Sequence, residues 1–311
     1  MGLNAAIALL IAVALDHAFG EPPNAIHPVA WMGTAIAWGR NWALCASRVG
    51  QFVRGTVVAL TLPVVCAAVA FVLMRVAGRW TLLSVVATGV LLKPLFAIRA
   101  LRDAAFLVRD ALAAGDVDLA RTQLGSLCSR NAAELEPAAL IAATVESIAE
   151  NASDSIVAPF FYFALAGLPG AAFYRAGNTL DAMIGYHGRY EWVGKTAARL
   201  DDLLNLLPAR LTSLLFLLVA PFLGGDLRRG ALTLWRDGGR TESPNAGRPM
   251  AAMAGLLGIR LEKSGHYALG DATRPIDGSD ITRAWRIVSG AAYASAVLTA
   301  ACLIAMTGPH A

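Results

Sequence analysis

Charge is scarce in this sequence: Asp, Glu, Lys and Arg make up only 15% of its 311 residues, against 57% hydrophobic types. An ordinary soluble domain carries nearly twice that share of charge. Together with a mean hydropathy of +0.56, the deficit excludes a soluble globular protein and predicts a membrane one. Basic stretches interleaved with aromatics are also missing. The net charge of +4 is spread through loops, which argues against nucleic acid as a partner and fits positive loops facing anionic lipid. Cysteine is sparse. Cys45, Cys66, Cys128 and Cys302 form no CxxC pair and fall mostly in apolar surroundings, so they are expected to pack rather than to bridge or bind metal. No repeat, low-complexity tract or separate soluble domain is visible, and residues 1–311 are expected to form one domain.

What is present is a series of apolar runs. Residues 2–19, 55–77, 80–98 and 288–307 are each predicted to cross a bilayer. A signal peptide is the rival reading of the first run, but no basic residue precedes it and no small-x-small site stands ahead of Glu21. That run ends in Asp16 and His17, followed by Glu21 and His27, ionisable groups that mark an interface or a site. Residues 33–54 are predicted to form an interfacial helix, with Trp31, Trp38 and Trp42 as an aromatic belt and Arg40, Arg48 and Arg54 as anchors. Arg75 and Arg79 flank a tight turn at Gly78. From Lys93 to Ala143 the pattern is amphipathic, broken at Gly115-Asp116 and restarted at Glu136-Pro137, where proline suits a helix's first turn. This layer is expected to face the cytosol, since it carries Lys93, Arg99, Arg102, Arg109, Arg121 and Arg130. Residues 225–287 form a second basic loop.

Two runs are irregular. Residues 156–173 are interrupted by Pro159, Gly167, Pro169 and Gly170, and residues 211–223, flanked by Arg210 and interrupted by Pro221, are too short to cross alone. Broken backbone at membrane depth is tolerated only where it lines a cavity, so one or both runs are expected to be re-entrant or to meet the others in a polar cavity. A full crossing by 156–173 would put Glu150 and Asp181 on opposite faces, whereas one site needs them together. The fold class that follows is all-α: a polytopic integral membrane helical bundle with amphipathic cytosolic helices and broken or re-entrant segments.

The chemistry concentrates between Glu146 and Asn205. Glu146, Glu150 and Asp154 stand at i, i+4 and i+8, one face of a helix, with Asn151 beside them. Acids so close raise one another's pKa unless a cation sits among them. Mg²⁺ suits this, because it commonly joins one or two carboxylates to substrate phosphates. A second cluster, Asn178 and Asp181, has i, i+3 spacing. A third holds Asp201, Asp202 and Asn205, with Lys195 and Arg199 upstream. Acids for a metal and cations for phosphate oxygens are what phosphoryl chemistry asks for. The competing reading of any one cluster is a solvated helix face with ordinary ion pairs.

The sequence resembles the CobD/CbiB family of membrane adenosylcobinamide-phosphate synthases of cobalamin biosynthesis. The likeness rests on HPVAWMG at 27–33, ESIAENASDSIVAP at 146–159, YRAGNTLDAMIGY at 174–186, ARLDDLLNLLPARLT at 198–212 and SPNAGRPMAAMAGLLGIRL at 243–261. Departures from the family pattern are Glu21 for a usual Asp, Asn131-Ala132 for a frequent Asp-Thr, Ser155 for a frequent Gly, and His187 at a commonly basic position. The resemblance implies an ATP- and Mg²⁺-dependent ligase in the inner membrane, its active site facing the cytoplasm. It would join adenosylcobyric acid to aminopropanol or its phosphate, with other corrinoid-pathway enzymes as partners.

On that resemblance, Glu146, Glu150 and Asp154 with Asn151 would hold Mg²⁺-nucleotide. Asn178, Asp181, Asp201 and Asp202 would complete the metal site or supply the base. Arg175, Lys195 and Arg199 would meet phosphate oxygens. His27 and the loop from Ser243 to Arg248, with Asn245 in it, would close over the corrinoid or the amine. The catalytic set is then Glu150, Asp181 and Asp202, and the metal set Glu146, Glu150, Asp154, Asp181 and Asp201. Two rivals share these features. A polyprenyl transferase using Mg²⁺-diphosphate predicts activity without ATP, and a corrinoid binding or transport protein predicts no covalent product.

Overall fold

The N-terminal apolar run is helical throughout, forming α1 (Gly2–Phe19). In the computed structural model, which describes residues 2–78, 81–128, 131–186 and 188–306, it is followed by α2 (Pro28–Leu44), α3 (Arg48–Ala77), α4 (Thr81–Leu92), α5 (Ile98–Ala113), α6 (Val117–Leu124) and α7 (Pro137–Ala152). The later elements are α8 (Ala158–Ile184), α9 (Lys195–Leu204), α10 (Leu206–Val219), α11 (Leu227–Asp237), α12 (Gly247–Leu257), β1 (Leu261–Lys263), β2 (Tyr267–Leu269) and α13 (Ser279–Ala305). Among the described residues six helical stretches, 2–19, 48–77, 81–113, 137–184, 206–223 and 279–305, are long and apolar enough to cross a membrane, so this is an all-α polytopic membrane protein. Arg79, Arg130 and His187 lie outside the described residues.

The chain divides into two units. The first comprises Met1–Ala97, Ala158–Asn205 and Ala296–Ala311; the second comprises Ile98–Val157 and Leu206–Ser295.

In the first unit, α1 lies against α4 at Gly89, where a Cβ would come within 2.8 Å of Ile11 and 3.0 Å of the Ala8 carbonyl. The helix expected over 33–54 is two helices. The chain breaks at Cys45-Ala46-Ser47, and Ser47 caps α3 by accepting from Gly50 N at 3.3 Å. Residues 48–54 therefore belong to a 30-residue spanning helix. Trp31, Trp38 and Trp42 remain exposed, and Arg54 bonds the Trp42 carbonyl at 2.9 Å while lying over its ring. Cys45 and Cys302 are exposed rather than packed.

α8 is not straight. Ala166 (φ −141°, ψ 20°) and Gly167 (φ +63°, ψ −154°) leave the helical region. A Cβ on Gly170 would clash with the Tyr162 carbonyl oxygen, although eight residues along a continuous helix span about 12 Å. Ala158 and Tyr174 pack in one cluster with Leu204. The element is thus a hairpin of two helical arms, 158–165 and 168–184, folding back at Gly167. Only glycine takes that φ/ψ combination readily, which is why the interruption expected from Gly167 and Pro169 falls there.

In the second unit, α5 buries Ile98, Leu101, Ala105, Val108 and Ala111 at three- and four-residue spacing and packs with α6 and α7 around Leu124, Leu140 and Ala143. The break between α5 and α6 is at Gly115 (φ +77°), and Asp116 caps α6 by accepting from Leu119 N at 2.9 Å. α7 starts at Pro137, as its composition predicts. The stretch 225–287 is not a loop. It contains α11, the short β1/β2 hairpin and α12, in which ten of eleven residues are buried, and α13 already begins at Ser279. Ala and Gly fill α12, so its small-residue face packs against α11, as where Gly255 meets the Arg229 carbonyl. The run at 211–223 is likewise longer than expected, because α10 begins at Leu206 and takes Arg210 into its second turn.

Candidate functional site

In the first unit the polar centre is Asp201, near the end of α9. Its Oδ1 accepts from Asn178 Nδ2 at 3.2 Å and its Oδ2 from Asn205 Nδ2 at 2.9 Å. Asn205 is buried and its Oδ1 accepts from the Tyr174 hydroxyl at 2.8 Å, while the Tyr162 hydroxyl donates to the Leu204 carbonyl at 2.9 Å. Two stacked tyrosines of the α8 hairpin therefore fix the end of α9, and α9 fixes Asp201. Burial raises the Asp201 carboxyl above the usual carboxylate range, and the neighbouring charge of Asp202 adds to this against the two carboxamide bonds. Asp202 is half-buried and pairs with the exposed Arg199 at 3.5 Å. Asp181 is half-buried on α8, its side chain over Gly185, where a Cβ could not fit. Arg175 is half-buried on the same arm. Lys195 is exposed, its ammonium 5.3 Å from the centre of the Trp192 ring.

His27 sits elsewhere in this unit. Its Nδ1 accepts from Val29 N at 3.2 Å, capping α2, which leaves the ring proton on Nε2, 2.8 Å from Glu21 Oε2. Glu21 Oε1 lies 2.9 Å from Lys93 Nζ, and Lys93 lies 3.4 Å from Asp16 Oδ1. Lys93 was expected on a cytosolic layer with Arg99 and Arg102. It is instead buried beside a fully buried Asp16, because Pro94 ends α4 in a 3₁₀ turn that directs the lysine inward.

In the second unit, Glu146 and Glu150 lie one turn apart on α7, Glu146 only 3% exposed. Asn151 donates to the Ser147 carbonyl at 2.9 Å and accepts from Ser155 at 3.4 Å. Asp154 does not continue the stripe in strict register, because Ser153–Val157 is a π-helical turn. Such turns widen the spacing to i→i+5 and recur at functional sites. Asn245 is buried in the loop before α12, and Arg248 is half-buried in its first turn. The sequence did not point to Tyr162, Tyr174, Lys93 or Arg210. Tyr174 carries a legible signal, standing four residues before Asn178. Lys93 and Arg210 carry none beyond being basic residues in apolar runs.

Of the expected residues, the structure brings Asn178 to Asp201, Arg199 to Asp202 and His27 to Glu21, all in the first unit, and keeps Glu146 and Glu150 adjacent in the second. Among the described residues no three His, Cys, Asp or Glu side chains are grouped to hold a metal. The available donors on α7 are oxygens only, two carboxylates a turn apart. This fits Mg²⁺, which takes one or two protein carboxylates and fills its remaining positions with water and phosphate, and does not fit a closed nitrogen and sulfur cage.

Comparison with known proteins gives a consistent likeness. Residues 9–288 match the model of the CobD/Cbib protein family. The chain is 44% identical over 269 residues to the cobalamin biosynthesis protein CobD of Dehalococcoides mccartyi, covering 86% of this chain and 87% of that one. It is 40% identical over 281 residues to the protein of that name from Rhodobacter capsulatus, covering 88% and 87%. With the one from Klebsiella pneumoniae it shares 37% over 294 residues, covering 91% and 92%. No solved structure matches the chain.

Proposed function

The chain belongs to the CobD/Cbib protein family, and on that premise we propose that it is an enzyme of cobalamin biosynthesis, an adenosylcobinamide-phosphate synthase. The reaction joins the free propionate of adenosylcobyric acid to the amine of aminopropanol phosphate, or of aminopropanol, at the expense of ATP. The observation that carries the assignment is Glu146, a carboxylate 3% exposed in a chain of little charge, one turn from Glu150. Buried acids beside membrane segments are costly unless paired, and they mark substrate, ion or proton sites.

A carboxylate resists attack by an amine, and an ammonium ion has no lone pair to attack with. Transfer of the terminal phosphoryl group of ATP to the propionate forms an acyl phosphate. The neutral amine then attacks its carbonyl carbon, the C–N bond forms, phosphate leaves with the C–O electrons, and a base takes the amine proton. Glu146 and Glu150, with Asn151 beside them, would hold Mg²⁺ and the nucleotide, while Asp154, shifted by the π turn, drops out of the expected metal set. Bound there, Mg²⁺ would neutralise phosphate charge. Asp202 or Asp181 would take the proton, while Asp201, held by Asn178 and Asn205, keeps α9 and α8 in register. Arg175, Lys195 and Arg199 would meet phosphate oxygens, and the Ser243–Arg248 loop would close over the corrinoid or the amine. A need for ATP places the site on the cytoplasmic side of the inner membrane, where other corrinoid enzymes can hand over substrate. Family membership counts against the transferase and transport readings.

The test is direct. Detergent-purified protein with adenosylcobyric acid, aminopropanol phosphate, ATP and Mg²⁺ is expected to give the amide by mass spectrometry, and none with ATP or Mg²⁺ omitted. Glu150→Ala and Asp181→Ala are expected to insert and fold but lose turnover; wild-type rates in either would refute its assignment.

A further inference from the structure

Arg210, in the second turn of α10, and Arg248, in the first turn of α12, stand within like-charge range of each other in the second unit. Arg210 Nη1 bonds the Leu206 carbonyl at 2.5 Å and Asn245 Oδ1 at 3.3 Å. Arg248 Nε is buried and has no hydrogen-bond partner, and no carboxylate among the described residues lies within ion-pair distance of either guanidinium. This is unusual here: Arg229, Arg236, Arg240, Arg260, Arg274 and Arg283 of the same unit all face carboxylates. Two half-buried cations without an anion repel each other and lose hydration.

The stretch that carries Asn245 and leads into Arg248 is held by its own bonds and close contacts. Ser243 Oγ accepts from Asn245 N at 3.2 Å and Ala246 N at 3.4 Å, Arg248 N bonds the Asn245 carbonyl at 3.0 Å, and a Cβ on Gly247 would meet Thr241 Oγ1 at 2.6 Å. These bonds fix Asn245 and the start of α12, and Arg210 is fixed by its own bonds to Leu206 and Asn245.

We propose that Arg210 and Arg248, with Asn245 between them, form a binding site for a phosphate group. A phosphate monoester carries a charge of about −1.5 to −2 at neutral pH and three acceptor oxygens, which matches two guanidinium forks and satisfies Arg248 Nε. Which substrate brings the phosphate, the phosphorylated amine or the nucleotide, rests on the ligase reaction proposed above; the site itself does not.

Binding of inorganic phosphate to the full-length protein in detergent, by equilibrium dialysis with ³²P, tests the site without catalysis. Wild type is expected to bind saturably, and Arg210→Gln and Arg248→Gln each to weaken binding by about tenfold or more. Arg248→Lys, which keeps the charge and the fold, is expected to fall between. No saturable binding by wild type, or equal binding by the Gln variants, overturns the proposal. Kinetics then assign the source. A raised KM in Arg248→Gln for aminopropanol phosphate, with aminopropanol unaffected, identifies the amine's phosphate; a raised KM for ATP with either amine identifies the nucleotide. Unchanged KM for every substrate overturns a role in the reaction. Wild-type protein that binds phosphate but forms no amide would fault the ligase reading alone.

Discussion

Tyr162 and Tyr174 stack with ring centroids 5.1 Å apart and planes 12° from parallel, although twelve residues of continuous helix would separate them by about 18 Å. The pair records the fold-back at Gly167, and through the Tyr174–Asn205 bond it ties the hairpin to the segment carrying Asp201.

In a background freed of the four native cysteines, Tyr162→Cys/Tyr174→Cys is expected to be joined within one chain by a short bismaleimide. A straight helix would give no such product. Gly167→Ala forces a side chain into φ +63° and is expected to cost about 1–3 kcal/mol, read as a lower midpoint of thermal unfolding in detergent.

Asp201 gives a pH signature. Its folded carboxyl is raised above 3.8, by burial first and by Asp202 second, so the folded state binds the proton more readily than the unfolded one. The stability this contributes is fully present below pH 3.8 and lost as pH rises through the folded value. Wild type should therefore gain on Asp201→Asn as pH falls towards 4, in paired thermal melts. A difference that stays flat with pH would remove Asp201 as the titrating group.

Asp237 behaves oppositely. Burial pushes its carboxyl up, but the two bonds from Arg236 at 2.8 and 2.7 Å, the Gly270 N–H at 2.8 Å and Arg240 at 2.9 Å outweigh burial and hold it below the usual range. Its contribution is present above pH 3.8 and disappears as pH falls through the lower folded value. Asp237→Ala is expected to cost about 2–3 kcal/mol at neutral pH, and Asp237→Asn to remove the acid-side dependence. Chemical unfolding at pH 7 and below pH 4 measures both effects.

Lys93 is the shared cation of Asp16 and Glu21. Lys93→Met takes the cation away from the fully buried Asp16 and is expected to cost about 3–5 kcal/mol. Adding Asp16→Asn should recover part of this. If the single and double variants unfold at the same midpoint, the pair is not what holds Asp16.

The sequence by itself determined the class of protein and much of its local grammar. Runs of apolar residues give the spans because length and hydropathy decide insertion. Three- and four-residue spacing gives the buried face of α5, Pro137 the start of α7, Gly115-Asp116 the break before α6, and Glu146 and Glu150 their common face. All of these depend on residues within a turn or two of one another. Tertiary structure decided the rest. Asp201 is bracketed by Asn178 from another helix, Lys93 turns inward to Asp16 and Glu21, Arg210 meets Asn245, and a stretch that looks like a basic loop supplies the buried α12. Those partners are 23 to 77 residues apart, and helical periodicity carries no information at that range; packing chooses which polar faces meet.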